Sequence, residues 1–123
     1  MAVGRYARDF ARDIIAPGFL ERDKTRVLDR AIMRQMGEMG YIAPELSERF
    51  GGQGLGCLMT GVIHEEIARA DLSISYINLL ASLNGQILAQ HSRPEVIVDT
   101  LNPRWPTASR WGWRVWASGG AKM

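Results

Sequence analysis

Disulfide chemistry is closed to this chain. Of its 123 residues only Cys57 is a cysteine, so no internal bridge can form, a composition that fits a reducing cytoplasm. Metal chemistry is equally poor in ligands. The segment His64-Glu65 opens like a zinc-protease helix, but position 68 is Ala68, and a lone histidine beside two carboxylates cannot supply three ligands. Long apolar runs are missing too. The most apolar stretch, residues 74–89, is interrupted by Ser75, Asn78, Ser82, Asn84 and Gln86. It is too short and too polar for a membrane span and reads as a buried helix. Residues 1–16 mix Arg5, Arg8 and Arg12 with Asp9 and Asp13, and no apolar run follows, so neither a signal nor a transit peptide is expected. No segment alternates cleanly enough for a strand, and no repeat or low-complexity run interrupts residues 1–101.

Acids are absent from one region only. Residues 1–101 hold eleven Lys/Arg and thirteen Asp/Glu, a net charge of −2. Residues 102–123 hold Arg104, Arg110, Arg114 and Lys122 with no acid, together with all four tryptophans. The chain therefore has two compositional regimes, a domain over 1–101 and a basic tail over 102–123 expected to be unstructured. Interleaved tryptophans and arginines are the chemistry of a binder of single-stranded nucleic acid or anionic membrane. The helical body offers no basic face to support either, so no nucleic-acid or membrane partner is expected.

What remains is helical. The expected architecture is all-α, an antiparallel bundle of about five helices joined by short connections. Tyr6, Phe10 and Ile14 recur at i, i+4 and i+8, with Ala7 and Ala11 beside them, which predicts an amphipathic helix over 3–15 whose charges are a solvated face. Pro17-Gly18 ends or kinks it. Leu28, Ile32, Met33, Met36 and Met39 form the stripe of a second helix over 28–39, with Gly40 as its left-handed cap. A third helix over 57–70 turns Leu58, Val62 and Ile63 inward and Glu65, Glu66 and Arg69 mostly outward. Asp71 is placed to cap a fourth over 72–90, apolar or small on nearly every side and so expected to be surrounded by others. Pro94 suits the first turn of a short fifth helix ending at Leu101.

The glycines between the second and third helices, Gly51, Gly52, Gly54 and Gly56, do not make a nucleotide fingerprint. Counting from Gly52, the sixth position is Cys57, and no Gly-Lys-Ser/Thr follows. They read as a tight loop that needs positive φ. Glu65 and Glu66 point about 100° apart on a helix and cannot act together on one atom. Cys57, at a helix start but without a base or second thiol, reads as an ordinary semi-buried cysteine.

Four segments in order carry a resemblance: Arg8-Asp9-Phe10-Ala11-Arg12 with Ile15-Ala16-Pro17; Met36-Gly37-Glu38-Met39-Gly40-Tyr41-Ile42; Pro44-Glu45 through Phe50-Gly51-Gly52-Gln53-Gly54; and Glu65-Glu66-Ile67-Ala68-Arg69-Ala70-Asp71. Together they resemble the N-terminal helical domain of the acyl-CoA dehydrogenases, over about residues 5–101. The resemblance implies an oxidoreductase that removes an α-proton from an acyl-CoA thioester while hydride leaves the β-carbon for flavin adenine dinucleotide. In that family the FAD and the catalytic glutamate lie mainly in later domains, a β-barrel and a second helical bundle, and a neighbouring subunit helps hold the flavin. The first domain walls the acyl chain. It follows that this chain has no catalytic or cofactor-binding residue of its own, and that Leu80, Ala81 and Asn84, on one face of the fourth helix, are the substrate-pocket candidates.

Beyond Leu101 the likeness stops. GC-rich codons for residues 105–116, read in a shifted frame, spell Ala-Asp-Gly-Glu-Pro-Leu-Gly-Leu-Ala, which looks like the family's continuation and would make the tail a frameshift product. The alternative function is a non-catalytic helical module that docks onto a full-length relative.

Overall fold

The computed structural model describes residues 2–50, 52–93 and 95. Apart from Glu95, which is helical and exposed, the short helix expected over 94–101 and the tail over 102–123 lie outside the described residues. Within them the chain is helical and forms no strand.

Helix α1 (Ala2–Phe10) does not stop at the proline. It widens through a π turn at Ala11–Ile15, tightens through a 3₁₀ turn at Ala16–Gly18, and resumes as α2 (Phe19–Thr25). The cause is local. Pro17 has no N–H to give and its ring crowds the preceding turn, so the ladder changes register around it. Ala16 N–H reaches back to the Ala11 carbonyl in the wider register. Arg26, left-handed at φ 56°, closes α2 by donating its N–H to the Arg22 carbonyl.

Helix α3 (Arg30–Glu38) starts on Asp29, whose carboxylate accepts from Ala31 N–H at 2.9 Å, and leads into Gly40 at φ 73°. Helices α4 (Cys57–Ala70) and α5 (Leu72–His91) are joined by the single extended residue Asp71 and pack on one another.

The first helix lies on α4 by means of small residues. Gly4, Ala7 and Ala11 are buried, and a Cβ on Gly4 would come within 2.9 Å of Val62. The core is then closed by Ile15, Ile32, Met36, Ile63, Ile67, Ile74 and Ala81, with Tyr41, Ile42, Ala43 and Leu46 inserted from the loop after α3. Phe10 meets Tyr41 edge to face at 5.4 Å between ring centroids.

Several inward assignments shift by part of a turn. Tyr6, Ile14, Met39 and Leu58 are exposed, whereas Glu66 is buried. On α1 the buried line is Gly4, Ala7, Ala11 and Ile15, because close helix approach favours small side chains over the larger ones predicted to lead. Glu66 is buried because Arg8 of α1 reaches it. Cys57 is exposed rather than semi-buried.

Candidate functional site

Helix α5 carries three distinct faces, separated by the 100° step of an α-helix. Leu72, Tyr76, Leu79, Leu83 and Ile87 recur at three- and four-residue intervals and are between 49% and 72% exposed. Helix α5 is therefore covered on one side and open along the other, not enclosed all round. Its buried side carries Ile74 and Ala81 and a line of polar residues, Ser75, Asn78 and Ser82. Between the two faces lie Leu80 and Asn84, both partly buried. The three pocket candidates thus divide. Ala81 belongs to the core, and Leu80 and Asn84 flank the open stripe.

The polar line holds the loop after α3 and the neighbouring helix α4. Asn78 Nδ2 donates to the Tyr41 carbonyl at 2.8 Å, Ser82 Oγ to Glu45 Oε2 at 3.2 Å, and Ser75 Oγ to the His64 carbonyl at 3.1 Å. Burial pushes the His64 imidazole below its ordinary value, and the nearby Glu45 charge partly offsets this.

The glycine loop is spent on its own folding. Gly52 N–H donates to the Ser47 carbonyl, Gly54 N–H to that of Leu46, and both Gln53 and Leu55 N–H to that of Pro44. A Cβ at Gly52 would collide with the Leu46 carbonyl, and Gly54 adopts φ 61°. A phosphate cradle needs free N–H groups pointing at the anion, and these point at carbonyls.

The charged segment 64–71 is structural in a way its sequence did not reveal. Arg8 grips Glu66 through two hydrogen bonds of 2.8 and 3.1 Å, which lowers the Glu66 carboxyl below the ordinary carboxylate range. Arg22 of α2 binds Asp71 at 2.9 Å and also donates to the Ile15 carbonyl. Asp71 in turn accepts from Ser73 and Ile74 N–H at the start of α5. Only the last of these roles could be read from the sequence, since the arginine partners lie 58 and 49 residues away. Glu65 and Arg69 form an exposed i,i+4 pair, as their spacing requires.

A shallow groove of about 370 Å³ opens where α2 meets the start of α5. Phe19, Val27, Leu28, Ile74 and Ile77 form its apolar wall, with Arg22, Asp23, Arg26 and Asp71 among its polar lining. Among the described residues no three His, Cys, Asp or Glu side chains converge as metal ligands, and no helix is long and apolar enough to cross a membrane.

The described residues form a helical domain stapled by two long-range arginine–carboxylate pairs, with an open apolar stripe along α5. The family model for the acyl-CoA dehydrogenase N-terminal domain matches residues 2–103. The chain belongs to the acyl-CoA dehydrogenase family and carries its N-terminal domain. It is 36% identical over 81 residues to isobutyryl-CoA dehydrogenase of Dictyostelium discoideum, covering 63% of this chain and 20% of that protein. Over 70 residues it is 34% identical to the mouse mitochondrial short-chain specific acyl-CoA dehydrogenase, covering 57% of this chain and 17% of the relative. To benzylmalonyl-CoA dehydrogenase of Aromatoleum aromaticum it is 30% identical over 92 residues, covering 75% of this chain and 24% of the relative. The matched region is thus a quarter or less of each of these relatives.

Proposed function

We propose that this chain supplies the N-terminal wall of the acyl pocket in a flavin-dependent acyl-CoA dehydrogenase and carries out no redox chemistry as an isolated 123-residue domain. The observation that carries this reading is the family match over residues 2–103. The geometry is consistent with it. The described residues hold the domain together, and α5 leaves an apolar stripe open. Leu80 and Asn84, on the flank of that face, would line the acyl chain, and Ala81 would set the helix position from the core side. The flavin would supply hydride acceptance and be held by other domains; the N–H groups of Gly52, Gln53, Gly54 and Leu55 are already spent on carbonyls of their own loop. The acyl-CoA substrate and assembly with further copies, or with a relative, belong to the same proposal.

The test is spectroscopic. The purified chain, incubated with FAD and passed through a desalting column, is expected to elute colourless and to leave an acyl-CoA unchanged. A retained yellow chromophore that bleaches on addition of an acyl-CoA would overturn the proposal. The open α5 stripe also suits a docking module. That second reading requires defined co-elution with a full-length relative, and fails if none is seen.

A further inference from the structure

Three side-chain atoms are fully buried with no hydrogen-bond partner among the described residues: Thr60 Oγ1, His64 Nε2 and Asn78 Oδ1. All three belong to the packed pair α4 and α5. Thr60 and His64 stand one turn apart on α4 and so share a face. Ser75 donates to the His64 carbonyl, which sets that turn of α4 against the first half of α5, and Asn78 is the next residue of α5 on that side. Glu45 closes the seam from the loop, bonded to Ser82 and close enough to act on the His64 charge.

The chemistry of the three atoms is complementary to one small molecule. The Asn78 amide has a fixed orientation, because its Nδ2 donates to the Tyr41 carbonyl, which leaves Oδ1 as an unpaired pure acceptor. The Thr60 hydroxyl can donate or accept. His64 Nε2 accepts when the ring carries its proton on Nδ1. A water has two donors and two acceptor positions, and buried waters typically make about three hydrogen bonds to groups that the chain leaves unmet. An apolar occupant would leave all three atoms unpaired, and a cation would meet the imidazole and only two neutral oxygens.

We propose that the α4–α5 seam is an internal hydration site. One water donates to Asn78 Oδ1 and His64 Nε2, accepts from the Thr60 hydroxyl, and so ties α4 to α5. The inference does not depend on the flavin reading, since it concerns only the packing of this domain.

The test uses the whole 123-residue chain and water itself as the probe. In solution NMR, long-lived cross-peaks are expected between the water resonance and both the Asn78 side-chain amide and the His64 ring protons. A high-resolution crystal structure should show one ordered water within hydrogen-bond distance of all three atoms. Thr60→Val, which keeps shape and removes one partner, is expected to cut the Asn78 cross-peak at least twofold. Should that variant not fold, the wild-type cross-peaks and density decide alone. A direct His64 Nε2–Glu45 hydrogen bond with no density between the helices would overturn the proposal, as would the absence of water cross-peaks at Asn78.

Discussion

Asp71 joins two kinds of interaction in one side chain. One oxygen caps α5 and the other binds Arg22, and the carboxylate is 4% exposed with the arginine at 12%. Removing it deletes the cap, worth about 1 kcal/mol, and leaves a nearly buried guanidinium without its counter-charge, a loss of about 3 kcal/mol or more. Asp71→Ala is therefore expected to lower unfolding free energy by roughly 3 kcal/mol or more, read from urea denaturation. Asp71→Asn, which keeps a capping oxygen, should lose less. Equal losses would mean that the capping oxygen contributes nothing. Gly52 makes a second residue-scale case. Its Cβ position is taken by the Leu46 carbonyl, which is backbone and cannot step aside. Gly52→Ala should therefore destabilise by about 1–3 kcal/mol. Gly56→Ala, where nothing stands within 4 Å, should be close to neutral under the same measurement.

Helix α2 is the element the sequence did not announce. Pro17-Gly18 reads as a stop, yet a proline tolerated in a first turn can also restart a helix, and here it does. The restart matters because it brings Arg22 back to the head of α5. The helix ends on Arg26 at φ 56°, where glycine has no steric cost and arginine does. Arg26→Gly is expected to raise stability by up to about 1 kcal/mol, seen as a higher urea midpoint at unchanged slope. A lower midpoint would show that the Arg26 side chain holds the groove together. On α5, Leu79 and Leu83 lie in the open stripe, so their replacement removes little buried area. Leu79→Glu with Leu83→Glu should leave helicity and the urea midpoint nearly unchanged while reducing self-association of the isolated chain. A collapse of the fold would place this face in the core.

At the scale of the molecule, His64 and Glu66 both contribute to the response to acid, and their signs agree. His64 has its folded value pushed below the ordinary 6.5 by burial, so the unfolded chain takes up its proton first. Stability is then lost as pH falls below about 6.5. Glu66 is lowered by the Arg8 hydrogen bonds, so its contribution is present above the ordinary carboxylate value of about 4.5 and is lost as pH falls further. The urea midpoint is expected to fall in two stages, the first below about pH 6.5 and the second below about pH 4.5. His64→Gln should abolish the first stage and leave the second. Glu66→Gln should lower the midpoint at neutral pH and flatten the second stage. A midpoint that rises on acidification would contradict both assignments.

What the sequence determined by itself is whatever depends on neighbours along the chain. Apolar spacing placed the helices over residues 3–15, 28–39, 57–70 and 72–90, the Asp71 cap is a contact of two and three residues, and Gly40 takes its left-handed turn from its own backbone. The four ordered segments sufficed to place the chain in its family. The tertiary structure alone decided which side of each helix faces inward, and for whom. Glu66 reads as surface until Arg8 arrives from 58 residues away, and Tyr6 reads as core until small residues let α1 close on α4. Leu80, Ala81 and Asn84 look equivalent on a helical wheel, yet packing puts Ala81 in the core and leaves the other two beside the open stripe. A local pattern fixes conformation because each turn is closed by its own hydrogen bonds. Burial and ion pairing are relations between distant segments, and only the folded chain supplies the second partner.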